Sequence, residues 1–273
     1  MRIAFYGSSL LSSYWNGAAT YYRGILKAMN SRGYDITFYE PDVYDRQQHR
    51  DINPPEWCRV VVYSGTVEAL REAAADAATA DIVVKASGVG FEDDLLLQEV
   101  LSHARPDAIK IFWDVDAPAT LAELRAAPDH PLRRSLEMLD MVLTYGGGEP
   151  VVAAYRELGA PSCVPIYNAL DPETHHPVAP DPKFACDLAF LGNRLPDREA
   201  RVEEFFLRAA AELPDRRFLL GGAGWHDKQM PPNVRHIGHV PTADHNAFNC
   251  TPRAVLNISR ESMADNGFSP ATR

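Results

Sequence analysis

Hydrophobic residues in this chain fall in short continuous runs, and between the runs they recur every three to four positions. "RIAFYG" near the start reads as a strand. The stretch after it, "NGAATYYRGILKAMNSRG", sets Ala18, Tyr22, Ile25, Leu26 and Met29 on one helical face, with Asn16 as N-cap and Gly33 as the stop. The same rhythm continues through "DITFYE", "RVVVYS", the alanine-rich helix "TVEALREAAADAATA", "DIVVKASG", a helix around "DDLLLQEVLSHA", "AIKIFWD", a helix near "LRRSLEMLD", "MVLTYGG", "VVAAYRELG" and "SCVPIYN". The strand-like runs do not alternate between apolar and polar residues, as expected of parallel strands covered by helices on both faces. Residues 1–168 are therefore expected to form a doubly wound, Rossmann-like α/β domain.

At "YNALDPETHHPVAPDPKF" the periodicity stops in a proline-rich segment, which reads as an interdomain crossover. A β-α rhythm then restarts with "CDLAFLGN", the helix "REARVEEFFLRAAAEL", "RRFLLGG", "NVRHIGH", a short helix near "DHNAFNC" and the strand "RAVLNIS". Residues 169–273 thus predict a second Rossmann-like domain of about four strands, apparently truncated beside the usual ~5 to 6.

Composition narrows the function. With 46% hydrophobic and 23% charged residues in 273, the chain is globular and long enough for two cores. A net charge of −10 opposes general binding to nucleic acid or an anionic membrane surface, but leaves room for a small anion held by local arginines. Cys58, Cys163, Cys186 and Cys250 are widely spaced and read as reduced thiols, and no apolar run reaches the ~20 residues of a membrane span. A cytoplasmic protein is expected. His175 and His176 have no third ligand at metal spacing, so no metal is assigned.

Two tandem Rossmann-like domains suggest a ligand at the carboxyl ends of their strands. The first turn, "GSSLLSSYWNG", does not fit the dinucleotide fingerprint, and Glu40 only approaches the position of its ribose-binding acid. Four later segments, "DLAFLGNRLPDREARVEEFF", "FLLGGAGW", "VRHIGHVPTADHNAFN" and "VLNISRESMADNGFSPATR", together with "YNALDPETHHP", resemble the nucleotide-sugar domain and crossover of the two-domain (GT-B) glycosyltransferases. The chain is most similar to their CgeB-like, group 1 branch; the second half carries the likeness and the first agrees in topology.

The resemblance implies a metal-independent transferase that moves a sugar from a nucleotide-diphosphate donor, a substrate rather than a cofactor, to an unidentified acceptor. Gly192, Asn193 and Arg194 follow the first strand of the second domain, and Arg260 and Glu261 follow its fourth, where the family places groups near donor phosphates and sugar. Gly267 allows close backbone approach. Ser269 and Pro270 open a helix suited to a diphosphate, with Arg273 beyond them. Gly192–Arg194 read equally as an ordinary β-α turn. In "FWDVDAP", Asp114 or Asp116 is the candidate base for the acceptor, Asp116 reading equally as the N-cap of "PATLAEL". Asn16 and Gly17 are candidates for phosphate or acceptor contact, or for a plain turn. A nucleotide-sugar epimerase of the same architecture and a non-catalytic scaffold are the alternatives. The family pattern continues past Arg273 with a ribose-gripping glutamate, so the chain is expected to be a fragment prone to self-association.

Overall fold

The computed structural model describes residues 1–14, 16–167 and 171–265, which form two compact units, 1–167 and 171–265. The expected boundary at 168/169 lies outside the described residues. In the first unit, seven parallel strands line up in the order β3-β2-β1-β4-β5-β6-β7. They are β1 (Arg2–Tyr6), β2 (Asp35–Asp42), β3 (Arg59–Ser64), β4 (Ile82–Ala86), β5 (Ile109–Asp114), β6 (Met141–Thr144) and β7 (Cys163–Pro165). The helices between them are α1 (Ala18–Asn30), α2 (Val67–Ala75), α3 (Asp93–His103), α4 (Ala117–Ala126), the short α5 (Pro131–Ser135) and α6 (Gly148–Glu157).

Alternate residues of β1 serve two separate cores, which is why its sequence is apolar without a break. Ile3 and Phe5 join Tyr22 and Leu26 of α1 and Phe38 of β2. Ala4 and Tyr6 join Leu70, Ala73 and Ala74 of α2 and Val100 of α3 on the opposite face. Register puts like on like, pairing Ile3 with Ile36 and Phe5 with Phe38, and the two phenyl rings stack 5.1 Å apart. The alanine-rich α2 has a practical use here: its small residues bring the helix close enough for the buried Tyr6 hydroxyl to donate to the Ala73 carbonyl at 3.0 Å. Thr66 caps α2 by accepting from the Ala69 N–H.

The start of α1 differs from expectation. Gly17 is the cap residue and Asn16 stands outside the helix, because its amide is spent within the β1-α1 loop. It donates to the Ser9 carbonyl at 2.8 Å and the Ser12 carbonyl at 3.2 Å, and accepts from the Ser8 hydroxyl. Gly33 follows the helix end at φ +87, the left-handed geometry that glycine supplies.

The second unit repeats the pattern with four parallel strands in the order β10-β9-β8-β11. These are β8 (Leu188–Leu191), β9 (Phe218–Gly221), β10 (Val234–Gly238) and β11 (Ala254–Leu256). After β8, α7 (Pro196–Val202) passes through a π-helical turn (Glu203–Leu207) into α8 (Arg208–Glu212); α9 (His245–Cys250) and α10 (Glu261–Asp265) complete the described helices. Phe190, Val202, Phe206, Phe218 and Trp225 form the main core of this unit. The segment after β11 is helical from Glu261, its first turn closed by the Met263 and Ala264 N–H groups on the Arg260 carbonyl. No described helix is long and apolar enough to cross a membrane.

Candidate functional site

Because all strands of each sheet run parallel, the residues singled out from sequence gather at carboxyl-terminal sheet edges. In the second unit two loops are sewn together there. The Gly192 carbonyl accepts from the Trp225 indole at 2.8 Å, the Asn193 side-chain oxygen accepts from the Ala223 N–H at 2.9 Å, and the Arg194 N–H donates to the Ala223 carbonyl at 2.9 Å. The loops touch so closely that a Cβ on Gly222 would lie 2.1 Å from the Gly192 oxygen, and Gly222 has φ +123. A Cβ on Gly192 would stand 2.8 Å from the Phe190 ring and 2.9 Å from the Arg198 guanidinium, so its glycine seats Arg198 at the end of β8. Asn193 therefore works as a brace.

Arg194 sits in the same seam among carboxylates. Its Nε and Nη2 grip Glu199 as a fork at 2.8 and 2.7 Å, and Nη1 donates to Asp227 at 2.8 Å and to the Gly224 carbonyl. Lys228 adds a second cation to Glu199 at 2.9 Å and also bonds Glu203. The Arg194 fork, with help from Lys228, pulls the Glu199 carboxyl down to about 2. Arg260, just before α10, reaches back to α7 and meets Asp197 at 2.6 Å through Nε. The structure thus brings Gly192, Asn193, Arg194 and Arg260 to one sheet edge, with Glu261 exposed beside Arg260. Gly267, Ser269 and Arg273 lie outside the described residues.

In the first unit, Asp114 ends β5 and is 0% exposed. One of its oxygens accepts from the Ser87 hydroxyl at 2.8 Å, the Asp116 N–H at 2.9 Å and the Thr120 hydroxyl at 3.0 Å; the other accepts from the Tyr155 hydroxyl. Burial pushes its carboxyl above the usual range, against the pull of these donors. Asp114 is thereby a knot joining β4, β5, α4 and α6, and it shows no face to solvent. Asp116 is half-buried and occupies the cap position of α4, but its side chain does not make the capping bond expected of it. The Asp114 carboxylate already holds that turn. Asn16 is turned into its loop, while Gly17 has open space around it.

Several buried polar groups went unremarked in the sequence. Tyr155 carries no motif. Lys85 does leave a trace, as a lone charge inside the apolar run "DIVVKASG", and it bonds Asp93 and the Ala86 carbonyl. Glu40, which the sequence did single out as approaching a ribose-binding acid, is fully buried and bound by the Ser9 hydroxyl, the Leu10 and Leu11 N–H groups and Gln47, which leaves it no freedom to hold a ribose. Arg46 bridges the loops after β1 and β4 by donating to the Ser8 and Val89 carbonyls. Among the described residues no group of three or more His, Cys, Asp or Glu side chains has the geometry to hold a metal ion.

Residues 198–273, which begin at the third residue of α7 and include Arg260, match the family described as "Glycosyl transferase-like". No curated protein sequence matches the chain significantly. Among solved structures, Anabaena Alr3699/HepE in complex with UDP and glucose is similar at TM-score 0.57 and 13% identity, covering 89% of this chain and 70% of that one. An alpha-glucosyltransferase in complex with UDP-glucose and DNA containing an abasic site is similar at TM-score 0.56 and 11% identity, covering 94% and 73%. Phytolacca americana UGT2, complexed with UDP-2fluoro-glucose and pterostilbene, is similar at TM-score 0.53 and 8% identity, covering 97% and 82%. These neighbours are GT-B glycosyltransferases, and the α/β fold of this chain, a seven-stranded parallel sheet with a second, smaller one, is the fold they share.

Proposed function

We propose that the chain is a glycosyltransferase of the CgeB-like, group 1 branch that transfers a hexose from a UDP-sugar to an acceptor hydroxyl without a metal. The observation that carries this reading is the arginine-bearing edge of the second sheet, inside or next to the segment that matches the glycosyltransferase-like family. The guanidinium groups gathered at this edge, though matched there by the carboxylates of Asp197, Glu199 and Asp227, supply the planar donors that a small polyanion needs. UDP is the nucleotide named with the structural neighbours.

In the transfer, the bond between sugar C1 and the diphosphate oxygen breaks and its electron pair leaves with UDP, while the acceptor oxygen bonds C1 and gives up its proton. Arg260, with the backbone N–H of Asn193, is the proposed counter-charge for the departing diphosphate. Of the aspartate pair, Asp116 is the proposed base, since Asp114 has no solvent-facing oxygen. Asp114 holds the Asp116 N–H and so positions it.

A thermal-shift titration tests the donor. UDP at a hundred times its dissociation constant should stabilise the protein by ~2.7 kcal/mol, and uridine should do so far less. Equal shifts from UDP and uridine, or none from either, would overturn the reading. Conversion of UDP-glucose without any acceptor would transfer the assignment to an epimerase.

A further inference from the structure

Among the described residues, three non-glycines have left-handed backbone, and all lie in two loops at the carboxyl-terminal edge of the first sheet: Tyr44 (φ 58) and Asp45 (φ 55) after β2, and Glu92 (φ 46) after β4. Such backbone is costly for an L-residue, and it persists where the surroundings enforce it, typically at ligand sites. Arg46 does the enforcing here. It is 1% exposed, its Nη1 donates to the Val89 carbonyl at 2.6 Å and the Ser8 carbonyl at 3.3 Å, and its guanidinium carbon lies 5.2 Å from the centre of the Tyr44 ring. Its Nε is buried without a hydrogen-bond partner.

What this arginine fastens is apolar and in water: Tyr44 is 56% exposed and Val89 59%. Half-buried Val43 and Phe91 of the same loops meet at Gly65, where a Cβ would stand 2.8 Å from a Val43 methyl and 3.7 Å from the Phe91 ring. Singly scattered apolar side chains need no explanation, but two held out by one buried cation and a left-handed backbone form a built surface. That surface adjoins the proposed base. Ser87, two residues before Val89, donates to Asp114 and accepts from the Val115 N–H, both at 2.8 Å, so one loop carries Val89 and supports the turn at Asp116. Strands lie ~4.8 Å apart, which puts Val89 about one strand spacing from β5 and Tyr44 about three.

We propose that Tyr44 and Val89 form an acceptor subsite, and that the acceptor is a phenol whose planar ring rests on them with its hydroxyl towards Asp116. This rests on the transferase reading above and on Asp116 as its base. The Arg46 guanidinium draws the π density of Tyr44 towards itself, which leaves the other face poor for the C–H groups of a sugar and suited to an electron-rich aromatic ring. A phenolic hydroxyl, with an ordinary pKa of about 10, also gives its proton to a carboxylate more readily than an aliphatic alcohol does.

Calorimetric titration of the full chain with 2-naphthol tests this, with saturated decahydro-2-naphthol and methyl glucoside as controls. Tyr44→Ala should weaken 2-naphthol binding ~10-fold, Tyr44→Phe should keep it within about twofold, and the saturated analogue should bind several-fold more weakly than 2-naphthol. Val89→Ser should weaken 2-naphthol several-fold and carries the test if Tyr44→Ala does not fold. Because both side chains lie largely in water, each variant should melt within ~3 °C of the parent. With UDP-glucose present, Tyr44→Ala should raise KM for 2-naphthol at unchanged kcat.

No binding of 2-naphthol, or equal affinity in parent, Tyr44→Ala and Val89→Ser, would overturn the proposal. So would methyl glucoside binding more tightly than 2-naphthol through Tyr44, which would mark a sugar acceptor, or a dimer in sedimentation that Tyr44→Ala dissolves, which would mark a contact between copies. If 2-naphthol binds through Tyr44 while UDP does not stabilise the protein, the aromatic subsite stands and the nucleotide-sugar reading fails. If UDP stabilises the protein and 2-naphthol does not bind, the subsite fails and the donor reading stands.

Discussion

Gly222→Ala should be among the most damaging single-methyl additions in the second unit. The cost has three parts. An L-residue at φ +123 is strained by ~1 to 3 kcal/mol. The new Cβ would sit 2.1 Å from the Gly192 oxygen and 2.4 Å from its carbonyl carbon, both backbone atoms, so the loops must part by about an ångström. Parting them strains the bonds of the seam: Gly222 N–H to the Gly238 carbonyl at 2.7 Å, the Trp225 indole to Gly192, and Ala223 N–H to Asn193. At ~0.5 to 1.5 kcal/mol for each bond lost, and with partial relaxation, the total comes to ~3 to 5 kcal/mol. Gly238→Ala is the matched control, because it also has a positive φ, +69, but its Cβ would meet nothing within 4 Å; strain alone predicts ~1 to 2 kcal/mol. Urea melts read by hydrogen exchange in peptides of the second unit separate its stability from that of the first. Costs within ~1 kcal/mol of each other would refute the reasoning, since the close approach of the two loops would then contribute nothing.

Acid should loosen the second unit through Glu199. Its folded pKa, lowered from the ordinary 4.5 to about 2, contributes stability that is full above 4.5 and is lost as pH falls from there towards 2; Glu199→Gln should flatten that part of a pH series of melts. Asp114 runs the other way: its raised carboxyl favours the folded state at low pH, and the advantage declines as pH rises from 3.8 through the folded value. Tyr155→Phe, which removes one donor to this buried carboxylate, should cost ~1 to 3 kcal/mol at neutral pH in a urea melt. Asp116→Asn should leave the melt unchanged and slow sugar transfer ~100-fold with UDP affinity intact, so equal rates in variant and parent would remove Asp116 as base.

The strand-and-helix rhythm of both units was legible along the chain, because a parallel strand buried on two faces must be apolar at every position and α1 must keep one apolar stripe. Ile3, Phe5, Ala4 and Tyr6 state this locally, without reference to anything distant. The turn at "GNR" was likewise visible, while the glycines of "RRFLLGG" showed only as the end of a strand. Their meeting was not: Gly222 and Gly192 are thirty residues apart in sequence, and only the pairing of β8 with β9 presses them together. The same holds for charge. A sequence shows Arg194, Glu199, Asp227 and Lys228 as separate solvated residues, and Asp114 and Asp116 as equivalent members of one triplet. Tertiary structure alone decides that Arg194 is consumed by its neighbours while Arg260 meets Asp197, and that Tyr155, Ser87 and Thr120 close over Asp114 and leave Asp116 towards solvent. Apolar periodicity is a property of neighbours along the chain, whereas hydrogen-bond saturation and desolvation depend on which distant groups the fold places within 3 Å.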